Sequence, residues 1–298
     1  MATIGFIGLG HMGAPMVHNL LAAQHEVIVY DVNALAMRPV VEAGAVAAEN
    51  LAAVAKAPII FTMLQIGEQV KDVCVSEDGL FKHAHKETLF IDSSSIDIVT
   101  CRQLHRMAEE HGFKYLDAPV SGGVASAQAA GLTFMVGGDP QVFAEAKPIL
   151  QVMGKKIVHA GSAGDGQAAK ICNNMILGVS MIAISEAFIL AEKLGLSAEK
   201  LFEISNNATG QCWAMSHNPP IPGVVENVPA NHDYQAGFSA SMMLKDLNLS
   251  QQAAQSVAAY TPLGQQATQI YTDFVEHGNG LVDFSAIIKL MTEPKKGS

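Results

Sequence analysis

Charge is scarce in this chain of 298 residues, and positive charge is scarcest: 18 Lys and Arg stand against 28 Asp and Glu, a formal net charge of −10. Nucleic-acid binding needs clustered cations to offset phosphates. The only basic run is Lys295-Lys296 near the C-terminus, so nucleic acid is not an expected partner. Cysteine is also sparse. Cys74, Cys101, Cys172 and Cys212 lie far apart with no Cys-x-x-Cys, which points to plain thiols in a reducing compartment and against a zinc site or a disulfide framework. The 11 histidines contain no His-Glu-x-x-His, and no metal is expected. No uncharged apolar run reaches the length of a membrane span. The nearest, 175–190, is interrupted by Ser180, Ser185 and Glu186. No basic leader or Arg-rich transit segment opens the chain, so a cytoplasmic protein is expected.

What is abundant is apolar: 49% of residues are hydrophobic and 15% charged, too apolar for disorder and enough for a large core. The length favours two domains. Short β-like runs occur at 3–7, 26–30, 58–64, 88–92, 114–118, 132–136 and 156–160. Helix-length segments such as 13–23 and 97–112 separate the early ones. Such alternation predicts a mainly parallel sheet covered on both faces. The later runs have less helix between them, which predicts a mixed far edge. After Gly161 the pattern changes. "GSAGDGQAAK" has the glycines of a hinge, and 167–193 is proline-free and apolar nearly all round, predicting a long buried helix of about 40 Å. Further helical patterns follow at 198–206, 239–259, 262–277 and 284–291, with Gly195 as a stop and Ser197 as a cap.

The stretch "IGFIGLGHMG" sets Gly8, Gly10 and Gly13 as G-x-G-x-x-G between the first strand and the first helix. The first glycine permits a tight turn, the second admits a pyrophosphate to the backbone, and the third lets helix pack on strand. The free N–H groups of the helix start then face the phosphates. The second strand, "EVIVYD", ends in Asp31, placed to accept hydrogen bonds from ribose hydroxyls and to repel a 2′-phosphate, so NAD is the expected cofactor. The bland alternative is a glycine turn with a helix-capping Asp. The expected fold is therefore an α/β Rossmann-type N-terminal domain over 1–162, with a doubly wound, mainly parallel sheet. An all-α C-terminal domain over 163–298 is joined to it by the long interdomain helix.

A dinucleotide fold does not name a reaction. In "LDAPVSGG", Ser121-Gly122-Gly123 offers a hydroxyl and unhindered N–H groups that suit a carboxylate, or forms an ordinary turn. In "GQAAKICNN", Lys170 and Asn174 share a helix face at i and i+4. A lysine in that apolar setting either exchanges a proton with an alcohol or snorkels to solvent. Lys245-Asp246 in "MLKDLNLS" reads by itself as an exposed charge patch. The single Trp213 either lines a pocket or packs.

Together these motifs resemble the β-hydroxyacid dehydrogenases. The resemblance spans the chain: "GFIGLGHMG", "DAPVSGG" at 117–123, G-x-G-x-x-x-K-x-x-N-N from Gly164 to Asn174, and "KDLNL" at 245–249. More local text, "GQCWAMSHNPPIPGV" at 210–224, "YQAGFSASMMLKDL" at 234–247, "TPLG" at 261–264 and "DFSAI" at 283–287, is similar to the branch acting on 3-hydroxyisobutyrate in valine breakdown. The resemblance implies that Lys170 is the general acid/base, that Ser121, Gly122 and Gly123 hold the substrate carboxylate, and that Asn174 and Trp213 lie at the substrate. It implies that Gly8, Leu9, Gly10, His11, Met12, Gly13, Asp31, Leu64, Gln65 and Ser95 contact the dinucleotide. Lys245 would reach towards the cofactor, supported by Asp246. Ser95 stands where the family has Thr, and Gln65 where it has Pro, which leaves the shape of the 62–65 loop open. A tartronate or succinate semialdehyde reductase of the same family would carry an Arg after the second strand, and Asp31 argues against it. A non-catalytic dinucleotide sensor would lack Lys170. The expected partners are a small hydroxy acid and further copies of the chain, as a homodimer or homotetramer through the helical domain, since a helix apolar all round needs more cover than one domain gives.

Overall fold

Alternation of side chains along the first strands decides the architecture. A computed structural model describes residues 1–292, so the Lys295-Lys296 pair lies outside the described residues. The chain divides into two compact units, Met1–Lys170 and Ile171–Ser298. The first holds nine strands among the described residues: β1 (Thr3–Ile7), β2 (Glu26–Tyr30), β3 (Val46–Ala47), β4 (Ile59–Thr62), β5 (Leu89–Asp92), β6 (Lys114–Asp117), β7 (Val120–Ser121), β8 (Leu132–Gly137) and β9 (Gly154–Gly161). They form one sheet in the order β3-β2-β1-β4-β5-β6-β8-β7, with β9 paired to β8.

Successive side chains point to opposite faces of a strand. Phe6, Phe61, Ile91 and Leu116 accordingly enter one apolar layer, and Ile7, Ile60, Phe90 and Tyr115 the other. Both faces are covered, as a parallel sheet requires. Strands β1 to β6 pair in parallel, and β8 runs antiparallel to β6 and β7, so the far edge is mixed as expected. The two-residue strands β3 and β7 are too short for periodicity to reveal. Proline lacks an N–H, so Pro119 interrupts the chain between β6 and β7, although its carbonyl still accepts from Met135 N at 3.0 Å. The sheet order reverses across β1 and β4, and their C-terminal ends open the crevice where such folds bind ligands.

The long helix runs Asp165–Lys193, 29 residues. It starts within the segment read as a hinge, because Gly161 and Gly164 absorb the turn at φ +141° and +84° and the helix then proceeds at once. In the second unit, Met181, Ile184 and Phe188 of this helix pack with Met243, Leu247, Tyr271 and Phe274. The latter four belong to helices Ala240–Ser256 and Pro262–Phe274. The expectation of all-round burial is corrected: only one stripe is covered, and Ile176 (65% exposed), Leu190 (59%) and Leu194 (75%) face outward. By length and composition alone this helix could cross a membrane, and 44% of its most apolar window is buried in the protein. The helix expected to reach 277 ends at Phe274 in a π-type turn with Gly278 at φ +87°. The segment 284–291 divides into a 3-10 turn, Phe284–Ile287, and a last helix, Ile288–Thr292. The short helix Trp213–His217 has no sequence counterpart above.

Tyr271 is fully buried and its hydroxyl donates to Phe284 O at 3.0 Å, tying the last turns to the helical core. Tyr271→Phe is expected to cost about 1–2 kcal/mol, seen as a lower urea midpoint at unchanged slope.

Candidate active site

Three glycines shape the turn after β1. A Cβ on Gly8, at φ +94°, would lie 2.3 Å from Met63 O, and one on Gly13 would lie 1.9 Å from Gly8 O. A Cβ on Gly10 would meet nothing within 4 Å. Two of the glycines therefore close the turn on itself, and the middle one opens a face to solvent where a ligand can approach the backbone. Helix Gly13–Ala22 has no side-chain cap and no acid in its first turn, so nothing negative competes with an anion at the positive end of its dipole, although Ala14 N already donates to Gly10 O at 3.2 Å and Pro15 has no N–H. These residues fit a dinucleotide pyrophosphate. Asp31 Oδ2 accepts from Leu9 N at 2.7 Å and Oδ1 from Asn33 N at 2.8 Å. The carboxylate pins the glycine turn to the end of β2 and keeps lone pairs for ribose hydroxyls. His11 is exposed and Met12 half-buried, packed against the core.

The next two loops are joined by a residue that the motif reading passed over. Asp92, fully buried at the end of β5, accepts from Thr62 Oγ1 at 2.8 Å and from Ser94 N at 3.0 Å, both on Oδ1. Ser94 Oγ in turn accepts from Leu64 N at 2.8 Å. The loop bearing Leu64 and Gln65 is thereby locked to the loop bearing Ser95. Gln65 N donates to Gln69 Oε1 at 3.1 Å, a bond that the family's proline could not make. Asp92 Oδ2 is buried with no hydrogen-bond partner. Burial pushes the Asp92 carboxyl up to about 6, against the lowering effect of the Ser94 and Thr62 hydrogen bonds, with nearby Asp117 adding to the rise.

Asp117 stands beside Asp92 in register at the end of β6. It is also fully buried, but its oxygens are better served. Oδ1 is paired with His105 Nε2 at 2.7 Å and accepts from Gly164 N at 2.9 Å, and Oδ2 accepts from Gln167 N at 2.9 Å. One carboxylate thus holds the start of the long helix against the strand that leads into Ser121-Gly122-Gly123. A Cβ on Gly166 would lie 2.4 Å from Met135 O and 2.7 Å from Asp117 O, so only glycine allows this approach. Gly122 has φ +136°, and a Cβ there would lie 2.5 Å from Ser126 Cβ, which fixes the backbone of the 121–123 turn. Gln167, at 0% exposure, donates from Nε2 to Ser94 O at 2.7 Å and accepts on Oε1 from Ile96 N at 3.1 Å. Lys170 follows one turn later and is buried at 7% exposure. Its burial removes the solvent-snorkelling alternative.

Cys101, His105 and Asp117 are the one group of three ligand-type side chains, among the described residues, whose atoms come close enough to share an ion. The three donors already on Asp117 account for its oxygens without one. The chain also holds a His-x-His, His83-Ala84-His85, which is not part of such a group.

In the second unit, Asn174 is buried and donates from Nδ2 to Asp246 Oδ2, while its Oδ1 accepts from Asn173 Nδ2 at 3.0 Å. A carboxylate only accepts, so the amide orientation of Asn174 is determined. Asp246 is buried at 3% exposure, and Lys245 Nζ lies 3.2 Å from its Oδ1. That oxygen has a charge partner but no hydrogen-bond donor in line. The pair is no exposed charge patch. Trp213 is half exposed and stacks on His217 with centroids 5.7 Å apart.

Comparison with known proteins adds the family. Residues 3–161 match the NAD-binding domain of 6-phosphogluconate dehydrogenase, and residues 164–291 match the NAD-binding region of NADP-dependent 3-hydroxyisobutyrate dehydrogenase. A probable 3-hydroxyisobutyrate dehydrogenase of Mycobacterium tuberculosis is 49% identical over 296 residues, 97% of each chain. The chain belongs to the β-hydroxyacid dehydrogenases. An NAD-dependent L-serine dehydrogenase of Pseudomonas aeruginosa is 44% identical over the whole of both chains. The solved structure of Mycobacterium tuberculosis 3-hydroxyisobutyrate dehydrogenase with L-serine superimposes with a TM-score of 0.93 at 47% identity, covering 98% of this chain and 100% of the other. The dehydrogenase uses NAD or NADP.

Asp92 binds its proton more tightly folded than unfolded, because its pKa rises from 3.8 to about 6. The folded state therefore takes up a proton between these values, and stability falls as pH rises through that window. Asp92→Asn keeps an acceptor for Thr62 and Ser94 without the charge. Relative to it, wild type is expected to lose about 2 kcal/mol between pH 4 and pH 7, measured by urea titration at each pH. A pH-independent difference would contradict the assignment.

Proposed function

We propose that this dehydrogenase oxidises 3-hydroxyisobutyrate to methylmalonate semialdehyde with NAD, a step of valine breakdown. The observation that carries the reading is the clamp at Asp117. It joins a carboxylate-shaped turn, Ser121-Gly122-Gly123, to the helix that buries Lys170. The substrate carboxylate docks on the Ser121 hydroxyl and the N–H groups of the turn. Lys170, in its neutral form, takes the hydroxyl proton as the carbinol carbon is oxidised. Asn174, its amide oriented by Asp246, positions the substrate oxygen. The dinucleotide, when bound, supplies the two-electron acceptor. Asp31, with Val32 and Asn33 after it and no arginine, supports NAD over NADP, because a 2′-phosphate would meet its negative charge.

L-Serine is the second reading, favoured by the Pseudomonas aeruginosa relative and by the ligand in the Mycobacterium tuberculosis structure. Both substrates present one carboxylate and one primary alcohol. They differ by a methyl or an ammonium group on the carbon between. NADH formation with each substrate, and with NADP in place of NAD, separates these readings. A higher kcat/KM for the methyl-branched acid with NAD supports the first, and a higher value for L-serine overturns it. Lys170→Ala is expected to lower turnover by about 10²–10⁴-fold while NAD affinity stays within a few-fold. Retained turnover would remove Lys170 from the mechanism.

The same reading includes self-association through the helical half. Cys172, Ile176, Ala183, Glu186, Leu190 and Leu194 are exposed along the long helix and its end. Their spacing of three, four or seven residues keeps them on one face, the seam that a second helix of the same spacing fills. Light scattering is expected to give a multiple of 31.5 kDa, and a monomer at assay concentration would overturn this.

A further inference from the structure

Gln167 occupies a position that nothing in the reaction as described above explains. It is fully buried, polar and uncharged, with every hydrogen-bonding group of its amide directed at backbone. Its Nε2 donates to Ser94 O at 2.7 Å and its Oε1 accepts from Ile96 N at 3.1 Å. Those two groups belong to the two peptide bonds of Ser95. A side-chain amide here replaces the neighbouring strand that would otherwise pair with this stretch, and it fixes the backbone on both sides of Ser95. Its own N–H is held by Asp117 Oδ2 at 2.9 Å, so the amide cannot drift relative to β6. Lys170 lies three residues further along the same helix, about one turn.

We propose that Gln167 is a positioning residue for hydride and proton transfer: it locks the Ser95 loop, which the family resemblance places at the dinucleotide, to the helix turn that carries Lys170. The inference rests on the roles given above to Lys170 and Ser95. Three segments meet at this amide. The 94–96 loop is bonded to it directly, the 117–123 turn reaches it through Asp117, and the proton-transferring amine stands on its helix. All lie within the first unit, Met1–Lys170. Small displacements in such a constellation are expensive, since the two transfers require reacting atoms in near-contact geometry; a misplacement of about 1 Å can cost about 10²-fold. The substrate carboxylate, by contrast, is held by the 121–123 turn, whose shape depends on glycine conformation and not on Gln167.

The test uses two variants of the full-length enzyme. Gln167→Met keeps length and shape but removes both hydrogen bonds. It is expected to lower kcat per active site by about 10–100-fold, leave KM for the hydroxy acid within about threefold, and enlarge the deuterium isotope effect from substrate labelled at the carbinol carbon. Active sites are counted by NADH binding, so a loss of folded protein does not register as a loss of kcat. Gln167→Glu serves where the methionine variant fails to fold. A protonated glutamic acid still donates to Ser94 O and accepts from Ile96 N, whereas the carboxylate cannot donate. The ratio of Gln167→Glu to wild-type turnover is therefore expected to rise as pH falls through the titration of that side chain. A purely structural role would move melting temperature alone. Wild-type kcat and isotope effect in Gln167→Met, or a pH-independent ratio in Gln167→Glu, would overturn the proposal. In those cases Lys170→Ala distinguishes the failures: if it is inactive, the reading of the site stands and only the positioning role is lost; if it is active, the reading itself has failed.

Discussion

The buried carboxylate of Asp117 is the interaction on which the rest of the first unit's chemistry depends. It ends an apolar strand, receives two backbone N–H groups from the start of the long helix, and pairs with His105. A buried charge without such partners is costly. Here the first turn of a 29-residue helix provides them, together with the positive end of its dipole. The helix start needs an acceptor and the carboxylate needs donors, and each need is met by the other. The outcome is a fixed separation between the strand that leads into the 121–123 turn and the helix turn that carries Lys170.

Asp92, in the neighbouring strand, has fewer donors on its carboxylate. Its Oδ1 organises two loops through Thr62 and Ser94, while Oδ2 is buried with no donor. Burial therefore outweighs hydrogen bonding, and the carboxyl is held up at about 6. Two aspartates in register, equally buried, differ because one meets a helix N-terminus and the other meets two loops. The loops joined at Asp92 carry Leu64, Gln65 and Ser95, the residues that the family resemblance assigns to the dinucleotide.

The second unit repeats the same device. Asp246 is a buried carboxylate on the helix Ala240–Ser256, and it orients the Asn174 amide while drawing Lys245 to its other oxygen. In each unit, acids inside the protein hold amides, hydroxyls or backbone groups in place. The chemistry is then left to a few residues that do not have to hold themselves in place.

The sequence alone determined the sheet, the order of its elements and the dinucleotide turn, because those rest on local rules. Period-two alternation placed Phe6 and Ile7 on opposite faces, and the spacing of Gly8, Gly10 and Gly13 marked a turn that no residue with a Cβ could make at Gly8 and Gly13. Lys170 and Asn174 were legible as a helical pair, and motif resemblance supplied their roles. Tertiary structure decided the rest. Asp92, Asp117, His105 and Gln167 each act through a partner between 12 and 73 residues away, and nothing in their local text separates them from ordinary polar residues. An acidic residue closing each of two apolar strands was the one available signal. The burial of the long helix also lay beyond local pattern: uniform apolarity reads the same whether every face is covered or one stripe, and only the packing of Met243, Leu247 and Tyr271 selects the side that is buried. Periodicity reports which residues avoid water, whereas the partner that each polar group finds depends on which distant segments the folded chain brings together.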